Sequence, residues 1–292
     1  MTSPVVLAHQ ARINRVCDFI VQNLNDEHTL EQLSQVAALS KYHFHRVFLT
    51  STGLTVIKFV QLARLKRASF RLVFEPEKRV LDIALEAGFD SSEAFSRAFK
   101  RTFMQSPSQF RTEPNWPNWH GVFAEVKNQQ RLQIPAQLCV EVIDFPKTRV
   151  GLIEHRGAPE RIFETTAQFI NWRKSSGLSP INSSQTFGIV FGDPNATKAA
   201  DFRFQLAGSV QKMISDNAFG VVNGVIAGCK CAKIIHHGSL DAMEPAIYAL
   251  YRDWLPSSGY ELGEQPLFFE YLNFIHQVDE CDLRTYIYLP LS

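Results

Sequence analysis

The chain has 292 residues, 45% of them hydrophobic, and its 30 Lys and Arg nearly balance 29 Asp and Glu for a formal net charge of +1. That length exceeds the usual size of a single core and the apolar content is ordinary for a globular protein, so two domains are expected and a disordered class is excluded. No apolar run approaches the ~20 residues of a membrane span, no basic segment followed by an apolar stretch opens the chain, and five scattered cysteines form neither a zinc nor a redox spacing, so a cytoplasmic protein with reduced thiols, no metal, no cofactor and no membrane partner is expected.

In chain order, the first predicted element is a helix, a tight turn and a second helix. Leu30–Ser40 holds the first helix and the turn, and Lys41–Phe48 opens the second helix. The pattern recurs as Val80–Ser91 followed by Ser92–Phe99: Leu33 matches Ile83 at an offset of 50, while Phe44, Arg46 and Phe48 match Phe95, Arg97 and Phe99 at 51. Ser40 and Ser91 stand where a hydroxyl caps the following helix. Ala38 occupies the turn position that Gly88 takes in the second copy, so the first turn has to accept a β-carbon where a positive φ favours glycine. Phe44, Val47 and Phe48, or Phe95, Ala98 and Phe99, gather on one side of each second helix and anchor it to a core. The opposite side carries Lys41, Tyr42, His45 and Arg46 in the first copy, and Ser92, Glu93, Ser96, Arg97 and Lys100 in the second. These side chains hydrogen-bond base edges and phosphates. A single copy would fit a plain helical hairpin with a solvated face equally well; duplication favours two DNA readers.

Between the copies, Thr55–Phe74 lacks Pro and Gly and repeats apolar residues at helical spacing, which predicts one long helix. About 20 residues span about 30 Å, close to one turn of duplex DNA, so such a connector could set both readers on one face. Residues 1–112 carry 15 Lys and Arg against 10 Asp and Glu, and the remainder 15 against 19, so the near-neutral total hides a basic first part suited to phosphate contact.

Gly53–Phe59 follows the first copy as Met104–Arg111 follows the second. With Phe89, Phe95–Lys100, Ser106–Pro107 and Phe110–Arg111, residues 8–112 resemble the all-α DNA-binding domain of the AraC/XylS transcription regulators. The resemblance implies double-stranded DNA and RNA polymerase as partners. Residues 113–136, interrupted by Pro114, Pro117, Gly121 and Pro135, read as a linker, part of which is expected to pack on one domain because Trp116, Trp119 and Phe123 are too apolar for a free tether.

The last part, 137–292, contains its own repeat. Val150–Gly157 recurs as Cys231–Gly238 at an offset of 81, and Trp172 with Gly177 recurs as Trp254 with Gly259 at 82. Each unit reads as a strand ending in His-x-Gly, an amphipathic helix and a hairpin, giving an α+β domain of two β-α-β-β repeats with a groove along their symmetry axis. His155 and His236 are repeat equivalents, which argues against a shared metal site. His155–Gly157, Trp254–Tyr260, Phe269–Asn273 and Thr285–Leu291 make this half similar to the GyrI-like effector-binding domain. That resemblance implies a pocket for a small amphipathic, cationic and aromatic effector, as in multidrug sensing, lined by Glu270 with Trp172, Tyr248, Tyr251, Trp254, Phe269, Tyr271 and Tyr286 as candidate neighbours. An aromatic face beside a carboxylate suits that chemistry. The alternatives are a GyrI-like hydrolase of reactive small molecules or a gyrase-binding protein; a fused DNA reader favours the sensor over the hydrolase.

Overall fold

The computed structural model describes residues 4–130, 138–192 and 197–292, without the side chains of 4–10, 42 and 124–130. It divides into two compact units, Met1–Gln133 with Ile275–Leu283, and Ile134–Phe274 with Arg284–Ser292.

The first unit is helical: α1 (Pro4–Gln22), α2 (Leu30–Val36), α3 (Lys41–Thr52), α4 (Val56–Phe74), α5 (Val80–Glu86), α6 (Ser92–Phe103), α7 (Pro107–Thr112) and α8 (Trp116–Gln130). Helices α2 and α3 form one helix-turn-helix, α5 and α6 the other, and α4 is the long connector. Ala38 has φ 50° and Gly88 φ 75°, so both turns use the left-handed region and only the second has the residue that does so without strain. The helix ends reverse the arrangement, with Gly53 at φ 69° closing α3 and Met104 at φ 59° closing α6. The Ser91 hydroxyl accepts from the Ala94 N–H as expected, but Ser40 makes no such bond. Thr55 and Ser106 cap at nearly the same backbone angles, so the backbone at Ser40 does not by itself prevent the bond. Each copy is anchored by phenylalanines that leave no exposed surface: Phe44 and Phe48 below α3, Phe95 and Phe99 below α6.

Most of the segment read as a linker is helical. Helix α8 occupies it as far as Gln130, burying Trp116, Trp119 and Phe123 against Phe70, Phe103 and Phe110. The Trp119 indole N–H donates to the Ser69 hydroxyl at 2.7 Å, satisfying the one polar atom of that buried side chain. Residues 131–136 lie outside the described ones.

Among the described residues the second unit is one antiparallel sheet of eight strands with helices on one face. The strands are β1 (Glu141–Phe145), β2 (Thr148–Arg156), β3 (Thr186–Val190), β4 (Arg203–Ser209), β5 (Val222–Ile226), β6 (Cys229–His237), β7 (Phe268–Tyr271) and β8 (Arg284–Leu291), in the order β1-β6-β8-β7-β3-β4-β2-β5. Helix α9 (Ile162–Ser176) follows β2; α10 (Glu244–Ala249), a π-helical turn (Leu250–Trp254) and α11 (Leu255–Ser258) follow β6. Each repeat therefore has one strand more than the β-α-β-β read from sequence. The added strands are exchanged: β1 pairs with β6 of the second repeat and β5 with β2 of the first.

Aromatic contacts show how strongly the sheet curls. Phe145 on the edge strand β1 lies 6.0 Å, ring to ring, from Phe187 on β3, four strands away in the order. A flat sheet would separate those strands by about 19 Å at about 4.8 Å per strand. The face without helices is thus an interior, filled by Phe145, Val150, Phe187, Ala207, Ile226, Cys231, Phe268 and Tyr288.

The π-helical turn has a cause in the sequence. Phe169 and Leu250, both core residues, match at 81, while Trp172 and Trp254 match at 82. One additional residue lies between the second pair, and a single insertion into a helix is accommodated as a π-turn.

Candidate functional site

On α3, Lys41, His45 and Arg46 are exposed, opposite the buried Phe44 and Phe48; Lys41 is tied to Glu31 at 2.7 Å, and the side chain of Tyr42 lies outside the described ones. On α6, Glu93, Arg97 and Lys100 are exposed and Ser92 and Ser96 are half-buried. The Glu93 carboxyl is held below its ordinary range, first by its own backbone N–H, then by the Ser91 and Ser92 hydroxyls, with a smaller pull from Arg97. A carboxylate fixed at a helix start in this way presents acceptor oxygens and suits a cytosine amino group better than a phosphate. Arg46 and Arg97 occupy matching places in the two copies, and each offers a planar fork of donors to solvent.

In the second unit, strand alternation decides what surrounds Glu270. Phe268 and Glu270 face the interior of the curl, whereas Phe269 and Tyr271 face the helices. Glu270 is 9% exposed and accepts two hydrogen bonds, from the Gln185 amide at 2.9 Å and from the Tyr288 hydroxyl at 2.7 Å. Burial, and then the bond to Glu270, push the Tyr288 phenol well above its ordinary range. Both donors are neutral, and among the described residues no ion pair to Glu270 is formed. A carboxylate shielded from water and left without a cation is costly to the fold, and it attracts any cation that reaches it.

Among the residues expected around Glu270, the structure brings Tyr286 to it, directly opposite on β8 and on the same face. Lys233 lies over the Tyr286 ring at 4.8 Å. Trp172 is elsewhere: it is buried beneath α9, stacked on Phe169 and lying across Gly151. Phe269 enters the core under α10, and Tyr271 lies across Gly188 between the cores of the two repeats, its phenol raised by burial. Trp254 is half-buried and stacked on Tyr260, while Tyr248 and Tyr251 are exposed on the second helix. The sequence reading missed Gln185 and Tyr288. Tyr288 was within reach, because two residues along a strand from Tyr286 must share its face; Gln185 carries no such signal.

His155 and His236 hold equivalent loops. His155 bonds the Thr165 hydroxyl at 2.9 Å and the Ala158 carbonyl at 3.1 Å, and His236 bonds the Ser239 carbonyl at 2.9 Å. Burial lowers the His236 imidazole. No helix among the described residues is long and apolar enough to cross a membrane.

Comparison with known proteins matches residues 139–292 to the GyrI-like small molecule binding domain and residues 33–113 to a helix-turn-helix domain. A probable transcriptional regulator of Escherichia coli K12, YgiV, is 43% identical over 155 residues, which is 53% of this chain and 97% of YgiV. An uncharacterized helix-turn-helix regulator of Bacillus subtilis, YbfP, is 33% identical over 104 residues, 36% of this chain and 35% of its own length. The solved C-terminal domain of EcmrR overlays 54% of this chain and 99% of itself at a TM-score of 0.46, with 17% identity. The chain belongs to the GyrI-like small-molecule-binding family, and carries a helix-turn-helix domain ahead of that domain.

Proposed function

We propose that the protein is a transcription regulator that reads double-stranded DNA with α3 and α6 and binds a small amphipathic cation at Glu270, acting on RNA polymerase at the promoter it occupies. The observation that carries the effector half is the Glu270 carboxylate, buried among aromatic rings and held by two neutral donors. The paired readers, each with an exposed arginine at the same place, support the DNA half, and the regulators YgiV and YbfP are similar to 53% and 36% of the chain.

The test takes an operator selected from random duplexes. Arg46→Ala and Arg97→Ala should each weaken specific binding by about 1–3 kcal/mol, and binding should fall steeply with salt. Tetraphenylphosphonium should raise the melting temperature of the full chain and be recovered unchanged, while triphenylphosphine oxide, neutral and of similar size, should not. Equal operator binding by both arginine variants would remove the DNA half; chemical turnover of added ligands without an effect on DNA would replace the sensor with a hydrolase.

A further inference from the structure

We infer that Ile275–Leu283, the connection between β7 and β8, is the element through which a change at Glu270 reaches both DNA readers. This rests on the reading of Glu270 as the effector carboxylate.

The segment leaves the sheet a few residues after Glu270 and returns to it just before Tyr286 and Tyr288, so its two ends are the two strands joined by the Glu270–Tyr288 hydrogen bond. Its base is pinned: the Leu272 N–H donates to the Arg284 carbonyl at 3.0 Å, and the Arg284 N–H to the Asn273 side-chain oxygen at 2.8 Å. A shift of β7 against β8 is therefore passed into the segment instead of being absorbed at its root.

The segment itself folds as part of the helical unit. Asp279 accepts from Arg67 at 2.8 Å and Glu280 pairs with Lys66 at 2.6 Å, both cations on α4 and both mostly shielded from water. His276 lies 6.4 Å from the Phe74 ring, and the Cys281 thiol is turned to the Val21 carbonyl of α1 at 3.8 Å.

Arg67 makes this more than a surface attachment. The same guanidinium that binds Asp279 donates to Asn25 at 2.7 Å, in the turn ahead of α2, and to the Glu86 carbonyl at 2.8 Å, at the end of α5. One buried side chain thus joins the support of the first reader, the support of the second and the segment from the sheet. Removing the Asp279 charge changes the balance of forces on Arg67 and with it the spacing of the two helix-turn-helix motifs on DNA.

The experiment uses the full chain, with amide hydrogen exchange and operator affinity as readouts. Tyr288→Phe perturbs Glu270 without any ligand. It should speed exchange in β7, β8, Ile275–Leu283 and α4, and alter operator affinity by about tenfold, within the usual range of coupling between sites. In a background of Asp279→Asn with Glu280→Gln, the change in the strands should remain while those in α4 and in operator affinity shrink below about twofold. The exchanged pair Lys66→Glu with Glu280→Lys keeps an ion pair and should keep the coupling, which separates loss of coupling from loss of folding. Tyr288→Phe effects that stop at the strands in the wild type, or that reach α4 undiminished in the neutralised background, overturn the inference. Tetraphenylphosphonium is a separate arm: its failure to bind would overturn the cation reading of Glu270 and leave the Tyr288→Phe result to decide the coupling.

Discussion

Glu270→Gln should make the protein more stable and worse at its task. In the wild type the carboxylate receives two hydrogen bonds from neutral donors in a nearly dry site. Bonds to a charged group contribute about 1.5–3 kcal/mol each against about 0.5–1.5 for neutral ones, so losing the charge forfeits about 2–3 kcal/mol in total. The cost of desolvating an unpaired ion is several kcal/mol after relaxation, and the substitution abolishes it. Geometry allows both contacts to survive, because a glutamine oxygen still accepts from Tyr288 and Gln185 can turn its own amide to offer oxygen to the new NH2 group. The net expectation is a gain of about 1 kcal/mol. Urea unfolding of wild type and variant would measure it, with calorimetry of tetraphenylphosphonium alongside, where affinity should fall by about tenfold or more. A variant destabilised by more than about 1 kcal/mol that still binds the cation normally would refute the reasoning, because Glu270 would then be a structural group whose charge the fold needs.

The remaining expectations concern strain, the helix insertion and acid. Ala38→Gly and Met104→Gly should each stabilise by about 0.5–1 kcal/mol in chemical denaturation, the relief of a left-handed β-carbon less the added freedom of the unfolded chain. Deleting Arg252 should restore the 81-residue spacing, convert the π-turn to regular helix and carry Trp254 into the core as Trp172 is, seen as a blue shift in tryptophan emission; unchanged emission would disconnect the insertion from the turn. Glu154 is drawn down to about 2, chiefly by the Arg203 hydrogen bond. Its folded value lies below the ordinary 4.5, so its contribution is present above that pH and disappears as pH falls towards 2, and Glu154→Gln should flatten this limb of the acid unfolding curve.

How much of this was legible follows from periodicity. The helix-turn-helix pairs could be read because each binds its own core through residues a few positions apart, such as Phe44 and Phe48, and because the pattern occurs twice. The length of α4 was readable for the same reason. Strands β1 and β5 were not, since Glu141–Phe145 and Val222–Ile226 show only one buried residue each and owe their place to partners about 90 and 70 residues distant in sequence. Helix α8 was hidden by Pro117 and Gly121: the proline falls in the first turn, where it costs no hydrogen bond, and the glycine is tolerated by a helix that Trp116, Trp119 and Phe123 already hold down. Around Glu270 the resemblance implied Phe269 and Tyr271 as neighbours, whereas a strand sends adjacent residues to opposite faces. Phe269 and Tyr271 are the nearest to Glu270 along the chain and face away from it.

Duplication also explains why the site occurs once. The repeat relation maps Glu270, Tyr288 and Gln185 onto Ile189, Ala207 and Pro266, an apolar counterpart without a polar side-chain group. The first repeat places its own carboxylate on this face at Glu154, whose equivalent is Ile235, and there Arg203 and Arg156 neutralise it while the Gln205 amide donates a further hydrogen bond. Two unpaired carboxylates inside one curled sheet would repel each other in a poorly screened interior, so a symmetric domain could keep the fold only by losing one charge or supplying it with a cation. This chain has done both: the Glu270 counterpart is isoleucine, and Glu154 is paired. The π-turn breaks the symmetry in the same repeat that carries Glu270, and the exchanged strands β1 and β5 bind the two repeats into one sheet. The uncompensated charge is thus confined to one half, while the other half supplies Gln185 and Phe187 as its wall and a fully satisfied sheet to hold it in place.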